Sequence, residues 1–271
     1  MDIDNILLQL GFSTNASYTP VSGGKDSVVY KLVVEDGKIF ALRIISADRL
    51  HQFKIEQKLI ALARDQGIPA PVVYFVQAIG EHAVMVMEWV SGKTVLSALQ
   101  EEPECAAVLG YNFGVTHAKI NKILLTEKWQ GRTWLTPVTE EEEILKAVTP
   151  VGNHLLHLDY HPLNVLTDGE KITGVIDWMN AAKGDFRFDY SRTLSILELE
   201  GSKVFQNDME TLGSFRKGWE SGYESIFGSM EDMAIFYAWA GKRMQRDMAN
   251  RMLPGEYITI EQWIQNWLLY Q

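Results

Sequence analysis

The segment from His157 to Trp178 constrains this chain most. His157-Leu158-Asp159-Tyr160-His161-Pro162-Leu163-Asn164 leads into two β-rich runs, Val165-Leu166-Thr167 and Ile172-Thr173-Gly174-Val175-Ile176, and ends at Asp177-Trp178. Between the runs, Asp168-Gly169-Glu170 supplies turn residues, so the pair reads as a β-hairpin. A hairpin brings its ends together. Asn164 and Asp177, thirteen residues apart, are therefore expected to be neighbours in space.

Two carboxylates and an amide at this spacing suit phosphoryl transfer. That reaction leaves a protein little covalent chemistry to perform; it positions an acceptor hydroxyl and neutralises charge spreading over the phosphoryl oxygens. In an H-x-D-x-x-x-x-N loop the Asp takes the hydroxyl proton and the Asn binds Mg²⁺ from the same loop. Asp159 is the expected base, Asn164 the loop ligand and Asp177 the second metal ligand, bridging the β- and γ-phosphates. Oxygen donors of this kind suit hard Mg²⁺, which keeps several waters.

The loop and the Ile176-Asp177-Trp178 segment resemble those of the aminoglycoside phosphotransferase and choline kinase superfamily. The resemblance implies a two-lobed, protein-kinase-like α+β fold with a small antiparallel sheet, one main helix and a larger helical lobe. It implies boundaries at residues 1–90 for a nucleotide lobe with its hinge and 91–271 for a catalytic lobe, with a helical subdomain at 202–271. It also matches Gly184-Asp185 to Asp189 with a G-D-x-x-x-D segment in which Asp189 braces the catalytic loop. His161 often occupies its place in that family, where it could orient the loop, approach the transferred phosphate or simply pack. His157 is expected to be structural.

A chain of 271 residues is long enough for one large or two modest domains. A single cysteine, Cys105, excludes an internal disulfide, and no Cys and His spacing suits zinc. A reducing cytoplasm fits this usage. The start of the chain lacks a basic n-region, and no apolar run approaches a membrane span. The formal net charge of −10 disfavours nucleic acid as a partner, because phosphate backbones demand clustered Lys and Arg. A cationic small molecule is the expected acceptor.

In the first half, Val28 to Val34 alternates, turns at Glu35-Asp36-Gly37-Lys38 and resumes through Ile39 to Ile45, which predicts a hairpin. Before it, Ser22-Gly23-Gly24-Lys25-Asp26-Ser27 is a small-residue turn: either a hairpin connection or, with Ser22, Gly23 and Gly24, a backbone cradle for phosphate. The same residues resemble the PP-loop of ATP pyrophosphatases. That loop opens a helix, however, and the β-branched residues that follow here do not.

The third strand carries Arg43 where most active kinases carry Lys. Its charged fork could clamp phosphate or pair with Glu56, which lies on a helix predicted over 47–66 and ended by Gly67 and Pro69. For Glu56 a solvated helix face is the competing reading. Strands are predicted at 72–77 and 82–88. By resemblance Met87 is the gatekeeper, and the Glu88 carbonyl and Val90 amide meet the adenine edge.

Further on, His117 is expected to pack within the core. Thr139 and Glu142 match a capping box in a run of four glutamates that could alternatively form a cation-attracting rim. Residues 202–271 read as aromatic-rich helices with a core stripe of Ile260, Trp263, Ile264, Trp267 and Leu268. Glu220, Glu224, Glu231 and Asp232 are acceptor-pocket candidates.

These features predict an ATP- or GTP- and Mg²⁺-dependent kinase of a small hydroxyl acceptor, an aminoglycoside-like compound first among them, with antibiotic resistance as a possible role. A metabolite such as choline, or a macrolide, is the alternative acceptor, and Arg43 keeps a nucleotide-binding scaffold without turnover in view. A protein acceptor is disfavoured. Leu158 replaces the Arg of H-R-D, no A-P-E follows, and the eleven residues between Asp177 and Asp189 are too few for an activation segment. The sequence leaves oligomeric state open.

Overall fold

The computed structural model describes residues 2–13, 15–21, 27–126, 134–150, 152–206 and 208–269. The chain divides into two compact units, Met1–Ser91 and Gly92–Gln271.

The first unit is built on a five-stranded antiparallel sheet. Helix α1 (Ile3–Gln9) precedes β1 (Ser17–Val21), β2 (Val28–Val33) and β3 (Ile39–Ser46); α2 (Leu50–Asp65) follows a short 3-10 turn, and β4 (Val73–Ile79) and β5 (His82–Glu88) complete it. The strand order is β1-β2-β3-β5-β4, so β3 is central, with Arg43 opposite Val29 and Met85. Side chains alternate across a strand. Leu42 and Ile44 accordingly join Leu32, Val84 and Val86 in a core with Ile3, Ile6 and Leu7 of α1. Arg43, between them in sequence, faces the other way, towards Glu56 and Phe53 of α2.

The second unit is mostly helical and carries two small sheets. Strand β6 (Lys93–Thr94) leads to α3 (Val95–Glu101), α4 (Ala106–Lys122), α5 (Thr139–Leu145) and β7 (His154–Leu156). The hairpin β8 (Val165–Thr167) and β9 (Ile172–Val175), then β10 (Ala182–Gly184), precede α6 (Phe186–Ser195). A π-helical turn at Ile196–Glu200 leads to α7 (Gly201–Val204), α8 (Met209–Phe227), α9 (Ala234–Met248) and α10 (Pro254–Leu268). The sheets run β6-β8-β9 and β10-β7.

Helices α4 and α8 touch backbone to backbone. A Cβ on Gly110 or Gly114 would collide with the carbonyls of Phe215 or Trp219, and one on Gly218 or Gly222 with those of Ala107 or Tyr111. Glycine pairs four residues apart on each helix thus open matching grooves, a role for absent side chains. The predicted stripe on α10 is present, with Ile260 and Ile264 buried against Ala238 and Met244 of α9 and Trp263, Trp267 and Leu268 packed at the margin.

One expected cap is displaced. The N-cap of α5 is Val138, not Thr139, and Glu141, not Glu142, reaches back to accept from the Val138 amide at 3.3 Å. Glu141 is also 1% exposed and lies 3.2 Å from Arg246. Buried Arg243 and half-buried Arg246, which the glutamate run does not reveal, select Glu141, so this member of the run is no part of a solvated rim. Among the described residues no helix is long and apolar enough to cross a membrane.

Candidate phosphoryl-transfer site

The loop from His157 to Asn164 hangs on one buried carboxylate. Asp189, in the first turn of α6, accepts from the His157 amide (Oδ2) and the Leu158 amide (Oδ1), both at 2.7 Å. Its Oδ2 also accepts from Asn121 Nδ2 at 2.8 Å and lies 3.3 Å from His117 Nε2. Burial pushes this carboxyl up, but the donors, His117 first, outweigh it and hold the pKa below the ordinary value. Asn121 is itself fixed, donating to the Leu155 carbonyl at 2.9 Å and accepting from the Tyr223 hydroxyl at 2.8 Å. His117 stacks on Tyr160, with ring centroids 4.3 Å apart, and accepts from Trp219 Nε1 through Nδ1 at 3.3 Å. His117 is thus packed, as expected.

Leu158 has φ 62°, a left-handed conformation costly for a branched side chain. Both its amide bond to Asp189 and its complete burial hold it there.

His157 ties the loop to the end of the hairpin. Its Nδ1 accepts from the Asp159 amide at 3.3 Å while Nε2 donates to the Ile176 carbonyl at 3.1 Å. That pairing suits a neutral ring, and burial pushes the His157 pKa down. Its ring packs on Trp178 at 4.8 Å, whose indole donates to the Val175 carbonyl at 2.9 Å. Ile176 in turn donates its amide to the Asn164 carbonyl at 2.9 Å. The hairpin therefore joins Asn164 to the residue before Asp177, as its sequence requires. Asp177 itself has φ 59° and caps the turn Trp178–Asn180.

Asp159 is oriented by its neighbours. Asn164 Nδ2 donates to the Asp159 carbonyl and to its Oδ2, both at 3.0 Å. His161 Nδ1 accepts from the Leu163 amide at 3.3 Å, and its Nε2 lies 3.2 Å from Asn164 Nδ2 and 3.6 Å from Asp159 Oδ1. Burial pushes the Asp159 carboxyl up. The His161 ring beside it, with the charge of Arg192, outweighs burial and holds it down at about 2. Asp159 is thus an ionised acceptor at neutral pH, while the bond from Nδ2 leaves the Asn164 oxygen as that amide's acceptor end.

In the first unit Arg43 Nη1 bonds Glu56, the two side chains being 7% and 1% exposed, and Arg43 Nε lies 3.4 Å from Ser27 Oγ. Glu56 is no solvated helix residue. Met87 is buried in β5, Glu88 accepts from the Val72 amide at 3.0 Å, and Val90 is half-buried just beyond the strand. Ser22, Gly23 and Gly24 lie outside the described residues.

The acceptor candidates scatter. Glu220 sits 3.4 Å from Arg216 and burial pushes its carboxyl up, whereas Glu224, Glu231 and Asp232 are exposed. Sequence reasoning missed Asn121 and Arg192. The second had one signal, its place three residues after Asp189, which sets it on the same side of α6.

Among the described residues no three His, Cys, Asp or Glu side chains converge as a metal cage. The oxygens of Asn164 and Asp177 suit Mg²⁺ as a partial set, to be completed by phosphate and water.

The sequence profile of a family described as "Phosphotransferase enzyme family" matches residues 17–154 and 138–234. Hygromycin-B 4-O-kinase of Escherichia coli is 32% identical over 108 residues, 35% of this chain and 30% of that protein. Homoserine kinase of Neisseria meningitidis serogroup B is 32% identical over 91 residues, 32% of this chain and 28% of that protein. The alignments thus span less than a third of either curated relative. A thermostable mutant of aminoglycoside phosphotransferase APH(4)-Ia, solved in ternary complex with AMP-PNP and hygromycin B, shares the fold with a TM-score of 0.68 at 14% identity, over 98% of both chains.

Proposed function

The chain belongs to the phosphotransferase enzyme family, and on that premise we propose that it moves the γ-phosphoryl group of ATP, or of GTP, to a hydroxyl of a small molecule. The observation that carries this reading is the Asp159 carboxylate, ionised and steered by Asn164 within a loop pinned by Asp189. As the acceptor oxygen bonds to the γ-phosphorus and the bond to the β-phosphate oxygen breaks, the hydroxyl proton passes to Asp159. Asn164 and Asp177 would hold Mg²⁺, which supplies charge neutralisation at the phosphate oxygens. His161 keeps Asp159 ionised and oriented.

The first unit is assigned to the nucleotide. Arg43, held by Glu56, would contribute positive charge for phosphate, Ser22, Gly23 and Gly24 backbone amides, and the Glu88 carbonyl and Val90 amide the adenine contacts beside Met87. The relatives' names, a hygromycin kinase and a homoserine kinase, span an aminoglycoside and a small metabolite, so family membership leaves the acceptor open.

A coupled ADP- and GDP-release screen with Mg²⁺, over aminoglycosides, macrolides, choline and small hydroxyl metabolites, tests this reading. Acceptor-dependent release should appear with at least one compound and fall by about 10²–10⁴-fold in Asp159→Asn, the usual contribution of a general base. Full activity in that variant would remove Asp159 from the role.

A further inference from the structure

Two arginines of the second unit carry donors that have no hydrogen-bond partner among the described residues: Nε and Nη1 of Arg192 and the same atoms of Arg243. Both side chains are more than nine-tenths buried, Arg192 being 8% and Arg243 4% exposed. A buried, unsatisfied guanidinium N–H is costly and calls for a partner, whether an ordered water, an ion or a ligand.

Arg192 Nη2 bonds Asp247 at 2.9 Å. Arg243 donates to the Trp134 carbonyl and otherwise lies 3.5 Å from Asp247 and 3.6 Å from Glu141, while Arg246 is 3.2 Å from Glu141. Three guanidinium groups thus share Asp247 and Glu141, and the charge of Arg192 also acts on Asp159. Burial pushes the Arg243 guanidinium down to about 10, against the pull of Asp247 and Glu141.

Arg192 lies beside the loop, where its charge reaches Asp159. Thr193, next to Arg192, donates to the Tyr160 carbonyl at 2.9 Å, so this turn of α6 abuts the residue that follows Asp159. The half-buried Trp134 ring lies 5.6 Å from the Arg192 guanidinium and 3.7 Å from that of Arg243, an apolar wall next to the cations. Of the acidic residues on the other helices, Glu198 already bonds Arg216 and accepts from Trp263 Nε1 at 2.6 Å, and Glu220 is within ion-pair reach of Arg216. Those carboxylates have partners; Nε and Nη1 of Arg192 lack them among the described residues.

We propose that the acceptor is a small hydroxyl compound bearing a carboxylate, which Arg192 binds next to Asp159. The proposal rests on the kinase reading above and narrows it to hydroxy acids and hydroxy amino acids, in place of the cationic acceptor that net charge suggests. Arg suits this task because its planar fork meets carboxylates with charge-assisted hydrogen bonds.

The test is ADP release by the full chain with Mg²⁺-ATP. The probes are 4-hydroxybutyrate and L-homoserine, the primary amide of each, and choline and hygromycin B. A carboxylate acceptor should be turned over, and its amide should lose about 10- to 100-fold in kcat/KM, the scale of a charge-assisted hydrogen bond lost from a buried site. Arg192→Gln should raise KM for the carboxylate by a similar factor and erase the preference over the amide, with Arg192→Lys restoring part of it. A purely structural Arg192 would depress both acceptors alike. The wild-type comparison of acid and amide stands even where a variant fails to fold. Turnover confined to choline or hygromycin B, or an equal rate for acid and amide, overturns the proposal and leaves the kinase intact; no acceptor-dependent release from any probe in the wider screen overturns both.

Discussion

The carboxylate of Asp189 accepts the backbone amide of Leu158 at 2.7 Å, and so fixes the left-handed residue directly before the candidate base. The bond converts the position of α6 into the position of Asp159. Asp189→Ala would leave the buried amides of Leu158 and His157 without partners, at about 1–3 kcal/mol each. We expect a marked drop in thermal unfolding temperature together with loss of turnover. Asp189→Asn, which keeps an acceptor oxygen, should lie between. A variant as stable as the parent would show that the loop does not depend on this carboxylate.

Asp159 makes stability depend on acid. Its ordinary carboxyl pKa is about 3.9 and in the folded chain it is held at about 2. Because the folded value is depressed, its contribution is full above about pH 4 and is lost as pH falls through about 2. Chemical denaturation between pH 5 and 2.5 should show a steeper loss for the parent than for Asp159→Asn. The same ionisation predicts that any acid limb of kcat/KM above about pH 4 belongs to a different group.

The Arg43–Glu56 pair is buried on both sides, so removing one partner strands a charge. Arg43→Ala should cost about 3–5 kcal/mol of stability in urea denaturation. A double variant with Met at 43 and Leu at 56 should recover much of that stability while losing nucleotide-dependent activity. An equal loss of stability in the double variant would mean that packing, and not charge pairing, sets the cost.

Gly114 faces the Trp219 carbonyl of α8 with no space for a methyl group. Gly114→Ala should therefore destabilise by about 1–3 kcal/mol or more through overpacking, against the general rule that alanine favours a helix. Gly213, whose Cβ would meet nothing within 4 Å, is the control: Gly213→Ala should be neutral or stabilising.

The period-2 pattern of Val28 to Ile45 and the Asp-Gly turn at Asp168 made the sheet and the hairpin legible, because strand faces and tight turns are local properties of the chain. The pairing of Arg43 with Glu56 was legible as one of two readings, since strand register and helix phase each leave one face open. Glu141 was not legible. Four consecutive glutamates look alike until Arg243 and Arg246, about a hundred residues later in the chain, choose one of them. The contact of α4 with α8 was hidden for a related reason: a glycine reads as a weak helix residue until the matching glycine on the other helix is known. Arg192 was passed over because an arginine in an amphipathic helix ordinarily reaches solvent.

Asp189 and Arg192 stand one turn apart on α6, one bonded to the loop that carries the base and the other lying on the side where an acceptor is to be read. A shift of that helix would move both at once, so selectivity cannot be retuned by sliding it without misplacing the chemistry. Divergence towards new acceptors, in nature or by engineering, is therefore confined to exchanging side chains on a helix that stays where it is.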